Sequence, residues 1–397
     1  MSDANQRRWV IAALLFLATV INYIDRQALS VLATTVSREL GLSDMEYANI
    51  LTAFLVPYTL MYIVSGLVVD RWGTRLSLAV FMAWWSTANA LHALARGPWS
   101  LGGLRFLLGM GESGNFMAAM KAISEWFPPR ERGLATGLIN AAASTGAIIT
   151  PPLIAWLTIK TSWRAAFVVT GLLGFVWLAG WLWLYGKPPE AASAAAGERT
   201  PYSRLLAAPQ SWGLLLARVF GDPVWWFYLF WLPKYLQDVR HFTLEQIGLF
   251  AWLPYLSADL GSVAGGWLSG LMIRRGTGAI NARRWAMVPV AVLMPAGILV
   301  AYLPSAPAIA MICFVTFSHM AWKTNLMTLT NDVYPVKVVG SAAGLVGLGS
   351  GLGGALSTPV VGWIVQSFSY TAVFWLMGFL HPLATLLVFK TVKRELK

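Results

Sequence analysis

Apolar windows of about 20 residues, the length a helix needs to cross a hydrocarbon core, recur along this chain. They begin near residues 9, 46, 76, 99, 133, 164, 210, 244, 284, 306, 339 and 370, separated by charged or Pro/Gly punctuation. A soluble protein would need polar helix faces between such runs, and here they are missing. Only 12% of the residues are charged and 57% are hydrophobic, against roughly 25% charged in an average soluble chain. A lipid core offers the backbone no hydrogen-bond partners, so each run must close its own bonds as a helix. The expected fold is therefore an all-α membrane protein with about twelve transmembrane helices.

The formal charge of +12 raises nucleic acid as a partner, and its placement argues against that. Four basic residues lie inside apolar spans: Arg26, Arg105, Arg218 and Lys323. Of the remainder, about 19 fall on one side of the alternating loops and about 6 on the other. The heavy side holds Arg7 and Arg8, Arg71 and Arg75, the Arg130/Arg132 loop, the loop from Arg274 to Arg284 and the tail KTVKRELK. Charge here orients a membrane protein with both termini cytoplasmic, which requires an even number of spans. The basic pair before the first apolar run is similar to a signal peptide, but no small-residue cleavage site follows and the run continues through NYIDR. The single cysteine, Cys313, sits in an apolar span and reads as a small apolar residue.

Most connections are short, but GKPPEAASAAAGERTPYSR (186 to 204) is polar and rich in Ala, Pro and Ser. It divides the chain into a six-helix half at 1–186, a cytoplasmic linker at 187–208 and a second six-helix half at 209–397. The halves repeat. At a shift of 207 without gaps, Gly133, Gly137, Gly146, Pro152, Trp156, Phe167 and Gly171 fall on Gly340, Gly344, Gly353, Pro359, Trp363, Phe374 and Gly378. Parallel six-helix repeats around a midplane site are an organisation used by secondary transporters.

Between the second and third runs stands GLVVDRWGTR (66 to 75), which resembles the signature cytoplasmic loop of the major facilitator superfamily. Gly66, Asp70, Arg71, Gly73 and Arg75 occupy the motif's positions. Gly66 is expected to permit close helix contact, and the resemblance implies that Asp70 joins a charge network holding an inside gate shut. The corresponding stretch of the second half, GWLSGLMIRRG (266 to 276), has Gly270 where the acid would fall, so an asymmetric lock is expected.

Charged groups inside spans need a partner or a cavity, because an isolated charge there costs several kcal/mol. Asp25 and Arg26 differ by about 100° around a helix, so each can serve a different neighbour. Asn22 and Tyr23, four and three residues before Arg26, extend a polar stripe. In RFLLGMGESGN (105 to 115), Arg105, Glu112 and Asn115 share one helix face. Two acids and two bases can stay neutral together while exchanging a proton for a substrate carboxylate. An anion that takes Arg26 frees a carboxylate to gain a proton, which makes the two bindings mutually favourable. A purely structural ion pair is the plainer alternative.

The NYIDR stretch, the Arg105/Glu112 pair and EWFPPRER (125 to 132) resemble the anion:cation symporter branch of that superfamily. EWFPPRER followed by GLATG and IITPPLIAWL is similar to bacterial hexuronate transporters. The resemblance implies that Asp25 and Glu112 couple protons, that Arg26 contacts the substrate carboxylate, that Tyr58 lines the sugar site and that Arg105 tunes Asp25; Tyr23, on the inward polar stripe, is a further substrate-binding candidate. Asn140, a lone amide in the fifth run, is a candidate contact for a sugar hydroxyl. In SHMAWKTN (318 to 325), the repeat sets His319 opposite Glu112, and Trp322 and Asn325 are spaced to face a cavity together. Lys323 and Asp259 are further intramembrane charges, and Lys323 leaves open a dicarboxylate substrate. Arg218 and Asp222, four apart, read as a local helix pair. The tryptophans read mostly as interfacial anchors and lipid-facing bulk, with Trp225, Trp226 and Trp322 as candidate cavity walls.

The expected function is proton-coupled import of a sugar acid, a hexuronate first, by alternating access in a bacterial inner membrane. The carrier would act as a monomer with protons as its coupling ion and no cofactor or metal. Other small organic anions (aldonates, aldarates, aromatic carboxylates) are the alternative cargo, and a membrane sensor that binds without transport is the reading from another class. No metal-ligand cluster, nucleophile elbow or phosphate loop points to an enzyme, and the glycines of GLGSGLGG (347 to 354) serve helix packing.

Overall fold

In a computed structural model, which describes residues 3–127, 129–186, 205–334 and 339–393, the chain is helical nearly throughout. Thirteen α-helices occur among these residues: α1 (Asp3–Val31), α2 (Ala33–Leu40), α3 (Asp44–Leu91), α4 (Pro98–Trp126), α5 (Pro129–Lys160), α6 (Trp163–Leu184), α7 (Pro209–Asp238), α8 (Leu244–Phe250), α9 (Leu253–Arg274), α10 (Ala279–Leu293), α11 (Ser305–Val333), α12 (Val339–Ser367) and α13 (Tyr370–Thr391). Local chemistry sets the helix starts. Ser43 and Glu46 form a reciprocal capping box before α3, and Thr243 and Gln246 form another before α8. Inside α3, Gly73 takes φ 77° and ψ 162°, a region that favours glycine. There the chain folds back on itself, because the Ser77 hydroxyl donates to the Val68 carbonyl oxygen at 3.3 Å although nine residues separate them.

Among the described residues, eight spans are long and apolar enough to cross a membrane on length and hydropathy alone. The two arms of α3, with α4 and α7, complete the expected twelve. Polar residues explain why α4 and α7 fall short: Arg105, Glu112 and Asn115 lie on one, Arg218 and Asp222 on the other. Large apolar side chains cover the outside, as on α6, where Leu172, Val176 and Trp183 are exposed while Thr170, Gly171 and Gly174 turn inward. Small residues inside and bulk outside is the pattern of helices packed in lipid. The molecule is a multi-pass membrane protein.

The internal repeat is kept to the residue. Shifting α4 by 207 gives the limits of α11, and shifting α6 gives those of α13. The ends of α5 and α12, Lys160 and Ser367, differ by the same shift. Close helix approaches repeat too. A Cβ on Gly146 would lie 2.8 Å from the carbonyl oxygen of Val20 on α1, and one on Gly353 would lie 2.6 Å from that of Val219 on α7. The first and seventh helices therefore correspond with an offset of 199, eight residues less than the rest.

Packing divides the chain into two compact units, 1–196 with 233–252, and 197–232 with 253–397. The last turns of α7 and all of α8 thus belong with the first unit. Lys234 bridges Asp44, at 2.7 Å, and Asp238, while the Thr34 hydroxyl donates to Asp238 at 2.7 Å. Most of the expected linker, residues 187–204, lies outside the described residues, as do Pro128 and the tail from residue 394.

Candidate functional site

The neighbours of Asp25 and Arg26 explain why α1 carries them. Both are buried, with 0% and 3% exposure, as are Arg105 and Glu112 on α4, each at 1%. The 100° between consecutive helix positions sends the two side chains to different helices. Arg26 reaches α4, where its Nε donates to Glu112 Oε2 at 2.9 Å, and its Nη2 donates to Asn22 Oδ1 at 3.0 Å. Its guanidinium lies 4.8 Å from the ring centre of Tyr23, 4.5 Å from that of Tyr58 and 5.5 Å from that of Phe54. Two phenols therefore flank the ion pair. Asp25 instead accepts from Asn89 Nδ2 on the second arm of α3 at 2.7 Å, and the same amide reaches Thr170 Oγ1 on α6 at 2.8 Å. Arg105 Nη1 donates to the backbone carbonyl oxygen of Arg26 at 3.2 Å. That bond holds the turn of α1, and the guanidinium also interacts through space with the charges of Glu112 and Asp25. Asn115 Nδ2 donates to Thr19 Oγ1 at 3.1 Å and ties α4 to α1 one turn further on. Asn140 is exposed on α5.

Around Gly73 the loop motif forms a bonded cluster. Asp70 pairs with Lys121 on α4 at 3.2 Å, and Lys121 also donates to the Val69 carbonyl oxygen at 2.9 Å. Arg75 Nη2 donates to the Leu182 carbonyl oxygen at 2.6 Å, Trp181 Nε1 donates to the Arg75 carbonyl oxygen at 3.0 Å, and the Thr74 hydroxyl donates to Glu125 at 2.8 Å. Arg71 is exposed. Gly66 corrects an expectation: a Cβ there would meet nothing within 4 Å, so the residue admits no close helix in this structure. Gly270 lies in similarly open surroundings, with only the Arg274 Nη1 at 3.8 Å.

In the second unit the charges are arranged differently. Arg218 donates through Nε and Nη2 to Asp222 Oδ2 at 2.8 and 2.5 Å, which is the local pair expected from the spacing. Trp225, at the place that corresponds to Arg26 under the 199 offset, stacks on His319, which corresponds to Glu112; their centroids are 5.8 Å apart and the planes 9° apart. His319 Nδ1 meets His381 Nε2 at 3.1 Å. Trp322 and Asn325 do not share a cavity face. Trp322 donates to Thr385 Oγ1 on α13 at 2.8 Å, whereas Asn325 donates to the carbonyl oxygen of Gly265 on α9 at 2.9 Å. Three positions on a helix leave about 60° between two side chains, enough here for each to enter a different helix contact. Trp226 is likewise a packing residue, donating to the Ser350 carbonyl oxygen at 3.0 Å. Trp85, Trp181 and Trp231 are also fully buried, so the tryptophans divide between core and periphery. Asp259 is half-buried on α9.

Comparison with known proteins decides the family. The Major Facilitator Superfamily profile matches residues 15–358. The chain belongs to this superfamily. It is 33% identical to the hexuronate transporter of Escherichia coli (strain K12) over 98% of this chain and 94% of that one. It is 34% identical to the galacturonate transporter of Dickeya chrysanthemi over 66% of this chain and 81% of that one. Among solved structures, a D-xylose-proton symporter superposes with a TM-score of 0.80 at 16% identity, covering 97% of this chain and 98% of that one. The last similarity concerns the fold alone. The relatives are transporters, and the chain is a transporter rather than an enzyme.

Sequence reasoning missed Asn89, the direct partner of Asp25, and His381, the partner of His319. Both are polar residues in otherwise apolar spans, WWSTANALHAL and FLHPLATLL, and that was the available signal. Nothing in either stretch says which helix lies alongside.

Proposed function

We propose that this protein is a proton-coupled symporter that imports a sugar acid, a hexuronate in the first instance, across the bacterial inner membrane by alternating access. The observation that carries this reading is the buried set of Asp25, Arg26, Arg105 and Glu112, in which the only ion pair joins Arg26 to Glu112 among the described residues. Arg26 presents a guanidinium framed by two tyrosine rings and a carboxylate counter-ion that a substrate carboxylate can replace. On replacement, Glu112 loses its cation and takes a proton, which links anion binding to proton uptake. Asp25, held by Asn89, supplies the second acid. Tyr23 and Tyr58 offer hydroxyls and flat apolar walls to a sugar ring, and Asn140 offers an amide. The relatives that transport hexuronate and galacturonate support this cargo. In the same reading the loop around Asp70 and Lys121 faces the cytoplasm with both termini, and the carrier works as a monomer in the bilayer.

The test is proton entry into proteoliposomes containing a trapped pH dye on addition of glucuronate, galacturonate, galactonate or an aromatic acid. Acidification with a sugar acid, lost in Asp25→Asn and Glu112→Gln while anion exchange persists in part, is the expected result. Equal accumulation by these variants and the unaltered protein would remove both acids from the coupling step. Unchanged affinity in Arg26→Ala would exclude that arginine as the carboxylate contact.

A further inference from the structure

One buried donor beside the Arg26–Glu112 pair is not used by the site described above. Asn22 on α1 is 2% exposed, and its side-chain oxygen accepts from Arg26 Nη2 at 3.0 Å. An arginine can only donate, so this bond fixes which way the amide faces. The Nδ2 end is the one left over, and among the described residues it has no hydrogen-bond partner. A donor buried in that state costs stability. Held in place beside a group that binds an anion, it can discriminate between ligands that do and do not offer it an acceptor.

Helix geometry shows what lies around it. α1 and α4 are bonded at two levels, Arg26 to Glu112 and Asn115 to Thr19. Asn22 lies on α1 between them, about 6 Å along the axis from Arg26 and about 4.5 Å from Thr19. The Thr19 hydroxyl gives its hydrogen to the Leu15 carbonyl oxygen at 3.0 Å, so it can only accept from Asn115, and the Asn115 oxygen is left over in turn. Asn115 Oδ1 and Glu112 Oε1 are likewise buried and without a hydrogen-bond partner among the described residues. One donor therefore stands at a level between two acceptors, all inside the first unit. A sugar suits such a set, because any of its oxygens can accept from Asn22 and its hydroxyls can also give a hydrogen to either acceptor. The second unit has no counterpart. Gly221 holds the place of Asn22 under the 199 offset, where a Cβ would lie 2.7 Å from the Trp322 ring, and Trp225, at the place of Arg26, lies under the Lys323 ammonium, 5.7 Å from the ring centroid.

We propose that Asn22 is a specificity-determining residue: with Arg26 on the substrate carboxylate, its Nδ2 donates to the oxygen borne by the adjacent carbon, so that the transporter selects acids carrying an oxygen next to the carboxyl. This rests on the sugar-acid reading above and names the part of the ligand that is recognised. The ring oxygen of a pyranose uronate and the hydroxyl on the second carbon of an aldonate both meet the requirement. Two ligand pairs test it: D-glucuronate against the analogue with a methylene in place of the ring oxygen, and D-galactonate against its 2-deoxy form. Calorimetric titration of the full chain in nanodiscs should show the parent acid of the pair that binds held at least about tenfold more tightly than its analogue. Asn22→Ala and Asn22→Asp should each bring that ratio close to one, the second while still offering Arg26 an oxygen. A residue that only steadies Arg26 would, when replaced, weaken parent and analogue alike, so an unaltered ratio in a folded variant would overturn the proposal. A ratio near one in the unaltered protein would overturn it too, even if neither variant folded. Failure of the unaltered protein to bind either parent acid would instead refute the sugar-acid reading on which the proposal rests.

Discussion

Replacing Gly146 by alanine tests how closely the ion-pair site depends on helix contact. A Cβ at that position would lie 2.6 Å from the Tyr23 Cβ and 2.8 Å from the Val20 carbonyl oxygen. Ordinary contact begins near 3.4 Å, so α1 and α5 must part by about 0.8 Å, the difference between 3.4 and 2.6 Å. Neither neighbour is the end of a flexible side chain, and the backbone of α1 has to move. Overpacking of this kind costs about 1–3 kcal/mol. At roughly 2–4 °C per kcal/mol for a unit of about 200 residues, the melting temperature in detergent should fall by about 2–12 °C. Tyr23 and Arg26 travel with α1, so the 2.9 Å bond from Arg26 to Glu112 should lengthen, and glucuronate uptake should drop on the order of tenfold. Gly137→Ala is the control on the same helix, because a Cβ there meets nothing within 4 Å; it should melt at or above the unaltered temperature. The repeat supplies a second pair, with Gly353→Ala destabilising and Gly344→Ala neutral. Equal melting temperatures and uptake for Gly146→Ala and Gly137→Ala would refute the reasoning.

Two further outcomes are expected. Asn89→Leu removes the amide that joins Asp25 to Thr170 and leaves a buried carboxyl without that donor, so the protein should lose about 1–3 kcal/mol of stability, measured by denaturation in detergent; a variant as stable as the original would show that the bond carries no weight. Glu39, beyond the first span, accepts from Arg164 and from Trp163 Nε1, and these hydrogen bonds, that of Arg164 foremost, hold its carboxyl below the usual range. A lowered folded value means the clamp contributes above the ordinary carboxylate range and is lost as pH falls through the folded value. Half-exposed, it should contribute less than about 1 kcal/mol. The melting difference between the original and Arg164→Met should therefore shrink on acidification, and a difference independent of pH would refute the assignment.

The spans were legible because a bilayer allows so few solutions. The repeat was legible because Gly, Pro and Trp at fixed spacing have packing roles that survive duplication, and Gly146 and Gly353 do approach equivalent backbones. The Arg26–Glu112 contact could be anticipated from charge, since few partners are available to an arginine at that depth. Which helix lies beside which face was not legible. Spacing could set Trp322 and Asn325 on adjoining directions, but only the positions of α9 and α13 decide that one meets Gly265 and the other Thr385. Gly66 failed for the same reason, because small size permits a neighbour without supplying one. Asn89 and Asn140 are alike in sequence, yet one is fully buried against Asp25 and the other exposed.

The matched limits of α4 with α11 and α6 with α13 also record what this architecture tolerates. Most side chains differ between the two copies, and the place of the Arg26–Glu112 contact is taken in the second by a stack of tryptophan on histidine. From the start of α4 to the end of α6, however, no net insertion or deletion separates them. One added residue in a spanning helix would turn every later position by about 100° and advance it about 1.5 Å, moving lipid-facing bulk inward and glycine contacts outward at once. Across this stretch, chemistry could change by single substitutions while length could not, and the ancestral duplicate remains readable as a ruler.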